Sequence, residues 1–126
     1  MRKLLSSFLI VLLFIAGCRS SATIQANLQI ALTIVPSTPS VGEAEALVTL
    51  TDSNGDPVTN ATVSLRGDMT HAGMQPVLRE ATANENGVYT LPYEWTMAGD
   101  WSVEVMVTLP DGTTATQMFD YEVSGS

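Results

Sequence analysis

The chain has 126 residues and a formal net charge of −8, from 5 Lys+Arg against 13 Asp+Glu. That is the length of one domain, and 45 % hydrophobic against 14 % charged residues excludes a disordered acidic tail. The acidic balance makes nucleic acid and anionic lipid headgroups poor partners. A single Cys excludes an intramolecular disulfide and a cysteine-cluster zinc site, and a single His excludes a multi-histidine centre.

The first segment addresses the protein rather than folding it. Arg2-Lys3 is a positive start, followed by an apolar run from Leu4 to Ile15 broken only by Ser6-Ser7. About a dozen residues cannot span roughly 30 Å of hydrocarbon as a helix, so the run reads as a signal peptide. It ends in Ile15-Ala16-Gly17-Cys18, which resembles the bacterial lipobox. The resemblance implies cleavage before Cys18 and lipid on its sulfur, hence firm attachment to a membrane. Residues 1–17 are then the lipoprotein signal peptide, and 18–27 the lipidated N-terminus with a short small-residue tether. Arg19 rather than Asp follows the cysteine, which favours the outer membrane, facing the periplasm, if the source has two membranes. Without Arg2 and Lys3 the balance is three arginines against thirteen acids, a net of −10.

From Leu28 to Val123 the pattern is that of strands. Leu28, Ile30, Leu32 and Ile34 alternate with other residues, as do Ala44, Ala46, Val48 and Leu50, then Ala61, Val63 and Leu65. Two weaker strands are expected over Val77–Thr82 and Gly87–Tyr93. Trp101, Val103, Val105, Val107 and Leu109 alternate next, and Phe119, Tyr121 and Val123 last. Period two means one buried face per strand. Turn chemistry separates the segments at Pro36-Ser37-Thr38-Pro39, Ser53-Asn54-Gly55-Asp56-Pro57, Asn84-Glu85-Asn86-Gly87 and Pro110-Asp111-Gly112. Seven short strands in about a hundred residues predict an all-β, seven-stranded, immunoglobulin-like antiparallel sandwich over residues 28–123. In the last hairpin, Val105 opposite Phe119 would give a three-residue loop, Asp111-Gly112-Thr113, and would set Met106 opposite Met118 on the outer face.

Polar chemistry is sparse, and no enzyme is expected: no Ser-His-Asp set or pair of catalytic acids stands out. Asp52-Ser53-Asn54-Gly55-Asp56 lacks the spacing and closing Glu of a calcium loop and reads as a turn. One segment differs. In Gly67-Asp68-Met69-Thr70-His71-Ala72-Gly73-Met74, three potential ligands, Met69, His71 and Met74, fall within six residues. Thioether and imidazole suit Cu(I), and a thioether need not lose a proton to bind. Outside the cytoplasm a thiol would be oxidised, whereas these ligands persist. In a sandwich whose strands run up and down, the connection after the third strand and that after the fifth share one end. Met97 in the latter would therefore join Met69, His71 and Met74, at the end away from the lipidated N-terminus. The same methionines could instead plug the open end of the sandwich as packing; residue chemistry leaves both readings open. Trp95 and Trp101 read as core and end-cap aromatics.

Five pieces carry a family resemblance: Asn54-Gly55-Asp56-Pro57-Val58, Ala61-Thr62-Val63, Met69 through Met74, Asn86-Gly87-Val88-Tyr89 and Met97-Ala98-Gly99-Asp100-Trp101-Ser102-Val103. Over residues 42 to 123 they resemble the YtkA-like/FixH-like domain. The resemblance implies an extracytoplasmic immunoglobulin-like sandwich and, for some relatives, copper handling. The family's loop often runs Met-Pro-x-His-x-His-Gly-Met; a single His and no Pro here favour a methionine-dominated Cu(I) site. FixH-like relatives span the membrane, and their role in oxidase assembly is not carried over. The expectation is a lipid-anchored, extracytoplasmic domain binding copper for buffering, tolerance or delivery, with a cuproprotein or another envelope protein as partner. The alternative is a metal-free interaction or scaffold module on the cell envelope.

Overall fold

Alternation of inward apolar and outward, mostly polar side chains builds most of the described strands. A computed structural model describes residues 26–71 and 73–125. The strands are β1 (Leu28–Val35), β2 (Gly42–Asp52), β3 (Thr62–Met69), β4 (Val77–Ala81), β5 (Val88–Trp95), β6 (Gly99–Thr108) and β7 (Thr114–Val123). These strands pair antiparallel, in a three-stranded sheet β1-β2-β5 and a four-stranded sheet β4-β3-β6-β7, and an isolated parallel bridge joins Ser40 to Ser124. The protein is thus an all-β sandwich of seven strands. No helix occurs among the described residues, hence none long and apolar enough to cross a membrane. The signal peptide and Cys18 lie outside the described residues.

The core is the set the period-two pattern selects. Ile30, Ile34, Ala46, Val48, Leu50, Tyr89 and Leu91 come from one sheet, and Val63, Leu65, Val103, Val105 and Val107 from the other. Tyr89 is wholly buried with its phenol satisfied: it accepts from Ala61 N–H (3.1 Å) and donates to Val58 O (2.9 Å), pinning the β2–β3 connection. Pro92 sits in β5, an edge strand, where its missing N–H costs no ladder bond. From edge strand β4, Arg79 Nε donates to Pro92 O at 3.1 Å and ties the two sheets together on that side. On the other side Ala26 N–H donates to Thr114 O at 2.8 Å, so the chain docks two residues before β1.

Two expectations need correction. In the β6–β7 hairpin Val103, not Val105, faces Phe119; Val105 faces Gln117 and Met106 faces Thr116. The register is shifted by two residues. A slip of two keeps every side chain on its face, so hydrophobic alternation cannot detect it. The turn decides instead: Leu109 N–H donates to Thr113 O and Gly112 N–H to Leu109 O, both at 2.9 Å. The loop is therefore Pro110-Asp111-Gly112. Second, Met69 is not a free loop residue. It ends β3 opposite Trp101 and packs, half-buried, against the core.

Candidate functional site

At one pole the β3–β4 and β5–β6 connections are joined through the start of β6. Met69 is the register partner of Trp101. The next residue, Thr70, donates its N–H to Asp100 O at 3.2 Å. From the other connection, Met97 offers its carbonyl to the Trp101 indole N–H at 2.9 Å. Trp101 thus touches both connections, one by pairing and one by its side chain. The methyl of Met69 reaches over Gly99, where an added Cβ would lie 2.9 Å from Met69 Cε. Gly99 is therefore the space that lets the Met69 thioether lie towards the Met97 connection.

The four candidate ligands differ in exposure. His71 is exposed, and Met97 is 46 % exposed with only its carbonyl engaged. Met69 and Met74 are half-buried. Gly73, with φ 87°, turns the chain between His71 and Met74 through a conformation that side chains disfavour. Among the described residues no group of three or more His, Cys, Asp or Glu side chains gathers as a metal site. Any ion held at this pole would depend on thioether sulfur.

Beneath the pole lies an aromatic floor. Trp95 is at 5.4 Å from Trp101 and 4.9 Å from Tyr93, both edge-to-face, and at 5.4 Å from Tyr121. Trp95 and Trp101 are each 1 % exposed, as expected of core and end-cap aromatics. Such stacking makes a rigid base for the two connections. Beside it, a depression of about 510 Å³ is lined by Thr70, Asp100, Asp120, Tyr121 and Glu122. Its carboxylates give the pole a field that attracts cations. Asp68 is already engaged by Arg66, Nε to Oδ2 at 2.8 Å. That contact raises the guanidinium's pKa further.

The opposite pole gathers the β2–β3, β4–β5 and β6–β7 connections. Leu28, Asp52, Val58, Asn60, Leu109, Pro110 and Asp111 line one depression there. Asp52 Oδ1 accepts from Asn54 N–H (2.8 Å) and Asp56 N–H (3.0 Å), which makes the Asp52–Asp56 stretch a turn closed by its own carboxylate. Reasoning from sequence did not single out Trp101 and Gly99 as parts that hold the methionine pole. The signal was the four-residue spacing of Met97 and Trp101, which an indole N–H can bridge.

A family model described as YtkA-like matches residues 23–106. The chain belongs to the YtkA-like family. No curated protein matches it at the level of sequence. Among solved structures it is similar to the PmoD soluble domain from Methylocystis sp. ATCC 49242 (Rockwell). That match has 12 % identity and a TM-score of 0.52, over 79 % of this chain and 98 % of that one. It is also similar to the Lin-41 filamin domain, at 19 % identity and a TM-score of 0.52, over 80 % of this chain and 95 % of that one. At such identities the likeness is one of fold. This YtkA-like domain is an immunoglobulin-like sandwich with its methionine-bearing connections joined at one end.

Proposed function

We propose that this YtkA-like protein is a lipid-anchored, extracytoplasmic copper-binding domain. Met69, His71 and Met74 ligate Cu(I), and Met97 completes the set. Its task is copper buffering, tolerance or delivery to a cuproprotein, without redox turnover. The observation that carries this reading is the joining of the two methionine-bearing connections at Trp101, by register on one side and the indole–carbonyl bond on the other. Two thioethers at half-buried positions and an exposed imidazole form a soft donor set suited to Cu(I). The acidic depression alongside raises the local cation concentration.

Cu(I) titration of the soluble form, from Ser20 on, against a competing chelator tests this. Wild type should hold one Cu(I), and the Met69→Ala/His71→Ala/Met74→Ala variant should lose most of the affinity. Equal binding by the two overturns the reading. Binding should depend only weakly on pH, because thioether ligands have no proton to lose.

A metal-free interaction module is the second reading, and one observation favours it. The Met69 side chain already packs against the core, with its methyl against Gly99. On that reading the same variant changes thermal stability and leaves copper uptake at background.

A further inference from the structure

Three of the five large hydrophobic side chains exposed among the described residues lie on one surface, the outer face of the four-stranded sheet. They are Leu78 (58 %), Met118 (56 %) and Met106 (39 %). The β-register orders their neighbours. One row across the sheet reads Leu78–Arg66–Glu104–Met118, from β4 through β3 and β6 to β7. The next reads Glu80–Ser64–Met106–Thr116. The first row is apolar, cationic, anionic, apolar: it complements its own reverse.

We propose that this face pairs with the same face of a second copy of the chain. The symmetry follows from the order of charges. A two-fold axis lying between the copies and running along the strands, between β3 and β6, exchanges β3 with β6 and β4 with β7. It sets Leu78 on the second copy's Met118 and Arg66 on its Glu104, twice each. In the next row it sets Ser64 on Met106 and Glu80 on Thr116. Beyond Arg66 it sets Asp68 on Ser102, its register partner in β6. No like charges are directly opposed in these rows; the nearest like pair is diagonal, Asp68 beside the second copy's Asp120, the register partner of Ser102. The other in-plane axis, running across the strands along the first row, would press Arg66 on Arg66 and Glu104 on Glu104. Like charges directly opposed cost stability.

The resulting arrangement is the ordinary aligned packing of two sheets. Arg66 lies among Asp68 and Glu104 in the single chain and gains a further carboxylate in the pair. Four strands about 4.8 Å apart and three outward rows about 6.8 Å apart give a footprint of roughly 400 Å² before side-chain relief. That is small for a specific interface, so the pair is reversible. The proposal is independent of copper, because the face lies on the flank of the sandwich and uses none of the proposed ligands.

The test uses full-length chains, co-expressed in pairs with different tags and treated in membranes with a short bis-maleimide linker. A chain carrying Leu78→Cys and one carrying Met118→Cys should form a covalent heterodimer at least fivefold above chains whose one cysteine is Cys18. Two Leu78→Cys chains should stay at that background, because the axis leaves those positions about three strand spacings apart, or roughly 14 Å. Arg66→Glu in both partners should abolish the heterodimer, as should Glu104→Arg in both. Arg66→Glu in one partner and Glu104→Arg in the other should restore it, since each changed side chain again meets an opposite charge. Background-level linking of the Leu78→Cys/Met118→Cys pair overturns the proposal. Equal linking of Leu78→Cys with itself, or indifference to the charge changes, also overturns it.

Discussion

Tyr93 is 2 % exposed, and its hydroxyl occupies the space that a Cβ on Gly67 would need. Gly67 is therefore a requirement of packing at the aromatic floor rather than of backbone conformation. Gly67→Ala should destabilise the fold by about 1–3 kcal/mol through overpacking. At roughly 4–8 °C per kcal/mol for a domain of this size, a thermal melt would show it. Tyr93→Phe removes an oxygen that has no hydrogen-bond partner among the described residues. It should be neutral or stabilising by itself, and the double variant should lose less than the sum of the two. The phenol also sets the alkaline limit. Burial pushes its pKa well above the ordinary 10.0, and burial raises that of Tyr121 too. The unfolded chain starts to release these protons near pH 10 while the folded chain keeps them. The folded state's advantage is complete below that pH and declines as pH rises above it. The urea midpoint should fall above pH 10, and less steeply for Tyr93→Phe, with Tyr121 supplying the remaining slope.

At the scale of elements, the β6–β7 hairpin is set by one carboxylate. Asp111 Oδ1 accepts from Thr113 N–H (2.9 Å) and Thr113 Oγ1–H (2.7 Å). These bonds hold the Asp111 pKa below its ordinary value, with the side-chain bond the larger cause. The stabilisation is present above the unfolded value of 3.8 and fades as pH falls through the lower folded value. Asp111→Ala should lower the thermal midpoint at neutral pH. Its deficit against wild type should narrow once pH drops below that range, and a deficit unchanged with pH would contradict the assignment. The hairpin also shows where sequence reading stopped. Phe119, Tyr121 and the Trp101–Val107 series revealed both strands and both inward faces. They could not choose between registers two residues apart. Met69 shares the inward parity of Val63, Leu65 and Gly67, yet Gly67-Asp68 disguised the strand's continuation as a loop.

Across the whole molecule, the two poles and the two sheet faces have different chemistry. One pole joins Met69 and Met97 through Trp101, beside carboxylates. The other gathers the Asp52 and Asp111 turns near the start of β1. Among the described residues, the outer face of the four-stranded sheet carries three exposed apolar side chains around the neighbouring Arg66 and Glu104. Copper titration addresses the pole and cross-linking the face, so either idea can fail alone. Seven strands, the inward set from Ile30 to Val123, the principal turns and the family were legible along the chain, because each is written in local periodicity and short-range motifs. Which strands share a sheet, the register of the last hairpin, the anchoring of Met97 by Trp101 and the row Leu78–Arg66–Glu104–Met118 emerge from folding alone. These depend on residues far apart in the chain becoming neighbours, and a pattern that repeats every two residues carries no information about which distant pair will meet.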